Sequence, residues 1–229
     1  MAQYILGTGT STQADAWASL KSALNNYTTQ LTLTYDDETY IAKAEFKDMD
    51  YYLTFKAYPN SNRLYIEITL YDSEDTQIIQ YQANAYSVSV LYLNVFEAQG
   101  DSLIFGTIDT QGTNTAAVAL IDDTTPIMVV AGTSSQSCKV AIDDHAFDLQ
   151  LGGVAPYGAS DSVIQMVKLY DTITAEFIDG LYETIISKNP SKNYDIMLTT
   201  IGQRKFYVFI PAQKSTSNRL LAIECTDKY

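Results

Sequence analysis

Few residues in this chain have the chemistry to act as catalysts. Histidine, the usual general base and metal ligand, occurs once, as His145, beside Asp143 and Asp144. A histidine with carboxylates can coordinate a metal, but neighbouring turn residues point in divergent directions. Zinc sites also draw three or four ligands from spaced Cys and His. The favoured reading is a solvated turn. Paired carboxylates suffice for glycosidase chemistry, and Asp36, Asp72, Asp101 and Asp122 are candidates. Each lies in a turn-like acidic cluster, where aspartate is expected to bind backbone N–H groups, so no pair stands out. Asp72-Ser73-Glu74-Asp75 groups oxygen ligands of the kind calcium takes, without the glycine and spaced glutamate of an EF-hand loop. Gly7-Thr8-Gly9 lacks the third glycine of a dinucleotide fingerprint and the GK[ST] of a P-loop. No G-x-S-x-G elbow occurs. The expectation is a chain that is not an enzyme, with no catalytic, cofactor-binding or metal-ligating residue assigned.

Tyrosine is the abundant residue with functional potential, at 18 copies. It offers rigid contact area plus a hydroxyl, and it is also a good strand former. In Tyr51-Tyr52, strand neighbours face opposite sides, so one ring is expected to point away from the core. Such a ring can stack on a sugar, meet another subunit, or lie beside a sheet partner.

The elements that would position these residues are mostly strands. One helix comes first: Ser11 or Thr12 caps it, Asp15 completes an approximate capping box, and Ala14, Trp17, Leu20 and Leu24 recur at helical spacing. Trp17 is expected to anchor the helix to a sheet. From Leu31 the period changes to two. Runs around Leu31–Tyr35, Tyr40–Phe46, Tyr51–Phe55 and Leu64–Leu70 are joined by Asp-rich turns and by a break at Pro59-Asn60-Ser61-Asn62, and read as a meander. A less regular stretch follows, then strands over Val88–Phe96, Leu103–Ile108, Ala116–Ile121 and Ile127–Val130. Cys138–Ile142 and Ala146–Leu151 read as a hairpin around Asp143-Asp144-His145. Gly152-Gly153, Pro156 and Gly158 mark a boundary near 152–158. This divides the chain into a helix plus β-meander or sandwich domain, 1–151, and a small β-rich C-terminal unit, 159–229. In the latter, strands are expected from Val163, from Phe177 to Ile186 with a break at Gly180, over Ile196–Thr200 and Lys205–Ile210, and from Arg219. The fold class is mainly β, an antiparallel meander or sandwich with one N-terminal amphipathic helix.

Charge narrows the partners. The net charge is −13, and charged residues make up only 18% of the chain against about 25% in typical domains. Phosphate backbones and anionic membranes would be repelled, and the densest basic stretch, Gln203-Arg204-Lys205, holds two cations. Neither nucleic acid nor membrane is an expected partner. The N-terminus has no basic region ahead of its short apolar patch and does not read as a signal peptide. Synthesis in the cytoplasm is therefore expected, with Cys138 and Cys225 as free thiols. Met1 to Thr10 looks uncapped and free to reach a neighbour.

The segments WASLKSALNN, SVSVLYLNVFEAQGDSLIFGTIDT, PIMVVAGTSS, KLYDTITAEFIDGLYETIISKNP, IGQRKFYVFIPAQ and NRLLAIEC follow one another in order. In order and character the chain resembles virion structural proteins encoded in tail gene clusters of bacteriophages and prophages. In these a Gly-Leu-Tyr or Gly-Val-Tyr segment precedes a glycine with an aromatic strand and a closing Ala-Ile strand. Here the matches are Gly180-Leu181-Tyr182, Gly202 with Phe206-Tyr207, and Leu221-Ala222-Ile223. The resemblance implies a non-enzymatic structural subunit of a virion, in the tail or baseplate, without cofactors. Its expected partners are other virion proteins and copies of itself, as a homo-oligomer. The alternative expectation is a carbohydrate-binding or host-receptor-recognition protein whose partner is a host surface glycan.

Overall fold

The computed structural model describes residues 2–46, 51–97, 103–109, 115–119, 127–131, 137–142, 145–150, 163–171, 176–186, 196–209 and 219–224. The architecture is mainly β, in antiparallel sheets, with one short helix.

The first strand, β1 (Ala2–Thr8), leads into α1 (Gln13–Leu24). Thr12 caps the helix: its Oγ1 accepts from the Asp15 N–H at 3.2 Å and donates to Asp15 Oδ2 at 2.7 Å. That contact is worth about 1 kcal/mol. At the other end the Asn26 amide donates to the Ser22 carbonyl at 2.8 Å, satisfying a group the helix leaves open. Trp17, Leu20 and Leu24 are buried as their spacing predicts. Ala14 is exposed and Ala16 is buried in its place, because the stripe is centred on Ala16, Leu20 and Ala23.

Five strands then form a meander in chain order: β2 (Leu31–Asp36), β3 (Ile41–Phe46), β4 (Tyr51–Asn60), β5 (Arg63–Asp72) and β6 (Gln77–Tyr86). A second sheet, in the order β1-β7-β8-β9, comprises β1, β7 (Val90–Glu97), β8 (Leu103–Asp109) and β9 (Thr115–Ala119). One core joins them: Leu53, Phe55, Leu64, Ile66 and Ile68 of the meander meet Leu91, Leu93, Phe105 and the α1 stripe. Phe55 and Phe105 touch edge to face at 5.1 Å between centroids, and Tyr27 packs on Phe105. Each such side chain contributes about 1.5–3 kcal/mol by leaving water.

Two further sheets follow. β10 (Ile127–Ala131), β11 (Ser137–Ile142) and β12 (His145–Gln150) form one. β13 (Val163–Asp171), β14 (Glu176–Ile186), β15 (Ile196–Ile201), β16 (Arg204–Phe209) and β17 (Arg219–Glu224) form the other, in the order β13-β14-β17-β16-β15. The expected boundary at 152–158 lies outside the described residues.

Several expectations are corrected. Residues 2–8 are not a free arm. They pair antiparallel with β7, from Ala2 opposite Val95 to Thr8 opposite Val90, and Leu6 is 1% exposed. The strand β4 runs through Pro59 to Asn60 instead of breaking there. The reason is that β3 ends opposite Lys56, so Pro59 has no partner strand on that side and its missing N–H breaks no ladder bond. The irregular stretch before Val88 contains β6. Gly180 does not end its strand: β14 continues through it as a bulge, with the register passing from Tyr170 opposite Phe177 to Lys168 opposite Tyr182.

Candidate interaction surface

The β4–β5 hairpin sets the geometry of the outer face of the meander. Its two-residue turn is closed at Ser61, which adopts φ 57°, and its register places Tyr52 opposite Tyr71 and Tyr58 opposite Tyr65. The alternating Leu53, Phe55, Ala57 and Leu64, Ile66, Ile68 are buried, so both tyrosine pairs stand on the opposite side. Each pair stacks, at 5.1 Å for Tyr52–Tyr71 and 5.4 Å for Tyr58–Tyr65, with 11° between ring planes in both.

These rings are held from several directions. The Lys43 ammonium, reaching from β3, sits 3.9 Å from the Tyr52 centroid, and the Tyr52 hydroxyl donates to Asp75 Oδ1 at 2.7 Å. Burial, with the Asp75 carboxylate next in weight, pushes the Tyr52 phenol above its ordinary range. Tyr58 is raised by burial first and then by Glu67 and Tyr65; the Gln82 amide donates to its hydroxyl. Arg63 lies over Tyr86 at 5.4 Å. Lys43 pairs with Glu45 at 2.8 Å, and Lys56 stands opposite Glu67. β6 completes the face with Gln77, Gln80, Gln82 and Asn84. At the outward positions of its strands the charged residues are Lys43, Lys56 and Arg63 against Asp36, Glu45 and Glu67, three of each sign; Asp72, at the end of β5, has the inward parity. With Asp75 of the β5–β6 turn bonded to Tyr52, the face carries about −1 of the chain's −13.

A second polar cluster hooks α1 to the meander. Trp17 Nε1 and Lys21 Nζ both donate to Asp37 Oδ1 at 2.6 Å, and Trp17 meets Tyr35 and Tyr40 edge to face. Trp17 is 4% exposed and acts as the expected anchor. Lys21 first, then Trp17, hold the Asp37 carboxyl below the usual carboxylate range.

Three of the segments quoted for the resemblance, those holding Gly180-Leu181-Tyr182, Gly202 with Phe206-Tyr207, and Leu221-Ala222-Ile223, share one sheet. Tyr182 stands opposite Ala222, Leu181 opposite Ile223, and Tyr207 opposite Ile223 from the other side. Gly202 turns the β15–β16 hairpin at φ 63°. Arg204 donates from Nε to Glu224 Oε1 at 2.8 Å and also to the Tyr182 hydroxyl, while its guanidinium lies 5.0 Å from the Tyr182 centroid and 5.1 Å from that of Phe206. Glu224 and then Tyr182 raise its already high pKa further.

The residues singled out for chemistry are dispersed. Asp36 caps a turn, its carboxylate accepting from the Thr39 hydroxyl and from the Thr39 and Glu38 N–H groups, which lowers its pKa in that order. Asp72 Oδ1 accepts from the N–H groups of Glu74 and Thr76, and Asp75 is engaged with Tyr52. The Asp72 carboxylate closes the β5–β6 turn. His145 opens β12 opposite Ile142 rather than sitting in a turn, and Cys138 lies in β11 opposite Ala131 and Leu149. Asp101, Asp122, Asp143, Asp144 and Cys225 lie outside the described residues. Gly9 is a packing glycine: a Cβ there would fall 2.2 Å from Ser87 N and 2.4 Å from Asn62 O. Among the described residues no group of three or more His, Cys, Asp or Glu is placed to hold a metal ion, and no helix is long and apolar enough to cross a membrane.

Of these tyrosines, the sequence singles out the pair Tyr51-Tyr52, one ring of which is expected outward; the structure shows that it is Tyr52. The parity of Leu64, Ile66, Ile68 and Leu70 also sends Tyr65 and Tyr71 outward. Their stacking depends on hairpin register, which alternation does not specify.

No family model, no curated protein and no solved structure matches the chain.

Proposed function

We propose that this chain is a non-enzymatic structural subunit of a bacteriophage virion, in the tail or baseplate, working through contacts with other virion proteins and copies of itself. The observation that carries the reading is the outer face of the meander. It is broad, nearly neutral, rich in tyrosine and amide side chains, and built on a five-stranded meander in chain order. Interfaces favour tyrosine and disfavour unpaired charge. The resemblance supports the virion setting, and three of its segments are paired neighbours in β14, β17 and β16. The subunit is made in the host cytoplasm and ends in the particle, without nucleic acid or membrane as a direct partner.

The geometry favours protein contact over a sugar-binding platform. A sugar stacks on an open ring face. Tyr52 has Lys43 approaching from β3 and Tyr71 stacked from β5, so its ring faces are engaged within the sheet. Quantitative mass spectrometry of purified particles tests the proposal. A fixed ratio of this chain to a known particle component is the expected result. Recovery only in the soluble lysate overturns it.

A further inference from the structure

We infer that the outer face of the β2–β6 meander is a self-association face, and that its occupant is the same face of a second copy of this chain. The inference rests on the assembly reading above and names the partner for one surface.

Charge identifies the partner. Two copies, each at −13, repel one another wherever acidic surfaces meet. A basic partner would be drawn to the acidic surface, and a neutral partner would gain little from avoiding it. An equally acidic partner needs a face with little net charge. The meander supplies one: Lys43 is paired with Glu45, Lys56 stands opposite Glu67, and Arg63 is stacked on Tyr86. The acidic turns around Asp37 and Asp72–Asp75 lie at its margins. Like faces meet about a two-fold axis, and exposed amides such as Gln80 and Gln82 are donor and acceptor at once, so each can bond its own kind.

Size agrees. At about 3.3 Å per residue and 4.8 Å between strands, β2 to β6 present about 650 Å². Two copies would bury about 1,300 Å², within the range of specific interfaces. The rings are also fixed before contact by stacking and by Lys43, Asp75 and Gln82. Little side-chain freedom is therefore lost on association.

The test is sedimentation velocity on the full chain across a concentration series, at low and high salt. The expected result is a monomer–dimer equilibrium that tightens as salt rises, because screening removes the general repulsion while the contact has little net charge to screen. Gln80→Glu and Gln80→Lys should both weaken association by about tenfold or more, since each buries an unpaired charge in the contact of both copies. Ala18→Glu and Ala18→Lys, on the exposed side of α1, should leave it unchanged apart from the small effect of net charge. Gln80 is exposed, so its variants should fold, and circular dichroism checks this. A chain that stays monomeric at millimolar concentration and high salt overturns the inference, as does a dimer indifferent to both Gln80 substitutions. A monomer that is nonetheless a fixed component of particles refutes this face while sparing the assembly reading. A Gln80-sensitive dimer absent from particles does the reverse.

Discussion

Gly9→Ala is the sharpest test of how the two sheets are joined. Gly9 lies between β1 and α1, where the chain passes the β4–β5 turn and the β6–β7 corner. A methyl group at residue 9 would fall 2.2 Å from Ser87 N, 2.4 Å from Asn62 O and 2.8 Å from Tyr86 C, all backbone atoms. No side chain can rotate aside to admit it. The loops must separate by about an ångström, which breaks the 2.7 Å bond from Ser87 N–H to the Asn62 carbonyl. Losing that bond costs about 1 kcal/mol, and overpacking costs about 1–3 kcal/mol, so the expected loss is about 2–4 kcal/mol. Equilibrium urea unfolding reads it as a lower midpoint at unchanged slope. Gly202→Ala supplies the contrast: nothing lies within 4 Å of its Cβ, so only its φ of +63° matters and the loss should be about 1–2 kcal/mol. A Gly9→Ala loss below about 0.5 kcal/mol, the scale of an uncrowded surface substitution, would refute the close-approach argument and reopen a ligand role for Gly7-Thr8-Gly9.

Three other outcomes are expected. Leu6→Ala should lower stability by about 2–5 kcal/mol in the same assay because Leu6 is a core residue, whereas in a free arm it would be silent. Asp37→Asn should lower the unfolding midpoint at neutral pH. Its carboxyl titrates below the ordinary value of about 4 in the folded chain, so its stabilisation is complete above that pH and fades as pH falls through the folded value; the two proteins should converge in acid. Arg204→Lys should cost about 1 kcal/mol by removing the guanidinium fork from Glu224 and Tyr182, read as faster hydrogen exchange at the amides of Tyr182 and Ala222.

The strands whose apolar residues alternate strictly are legible from sequence. Leu31 and Leu33 mark β2, and Leu64 to Leu70 mark β5, because one buried face imposes period two. β6 is not legible in this way. Its pairing with β5 shifts between Leu70–Ile79 and Tyr71–Gln77, and adjacent Ile78-Ile79 masks the alternation there. Pro59 misleads for a related reason: a proline breaks a strand only where a neighbour needs its N–H, and β3 has already ended. The N-terminal strand is hidden because its partner, β7, lies more than 80 residues away in the chain, a distance no local pattern spans. The candidate surface is half legible. Outward parity follows from alternation, but near-neutrality does not, since Lys43, Lys56 and Glu67 become neighbours only once three strands are in register.

Near-neutrality and rigidity on the meander have a common origin. An outward lysine or glutamate on an isolated strand would be free in solvent and would add to the field of the whole chain. In register, Lys43 is held both by Glu45 and by the face of Tyr52, while Tyr52 is held in turn by Tyr71 and Asp75. The contacts that cancel charge therefore also fix ring orientation. Removing one member would do more than delete a contact. Without Tyr71, Tyr52 would lose its stacking partner and Lys43 one of the groups that orders its own partner. A face assembled this way is suited to meeting a surface of similar polarity, with Glu45 held by Lys43, Asp75 by Tyr52 and Asp36 by its own turn.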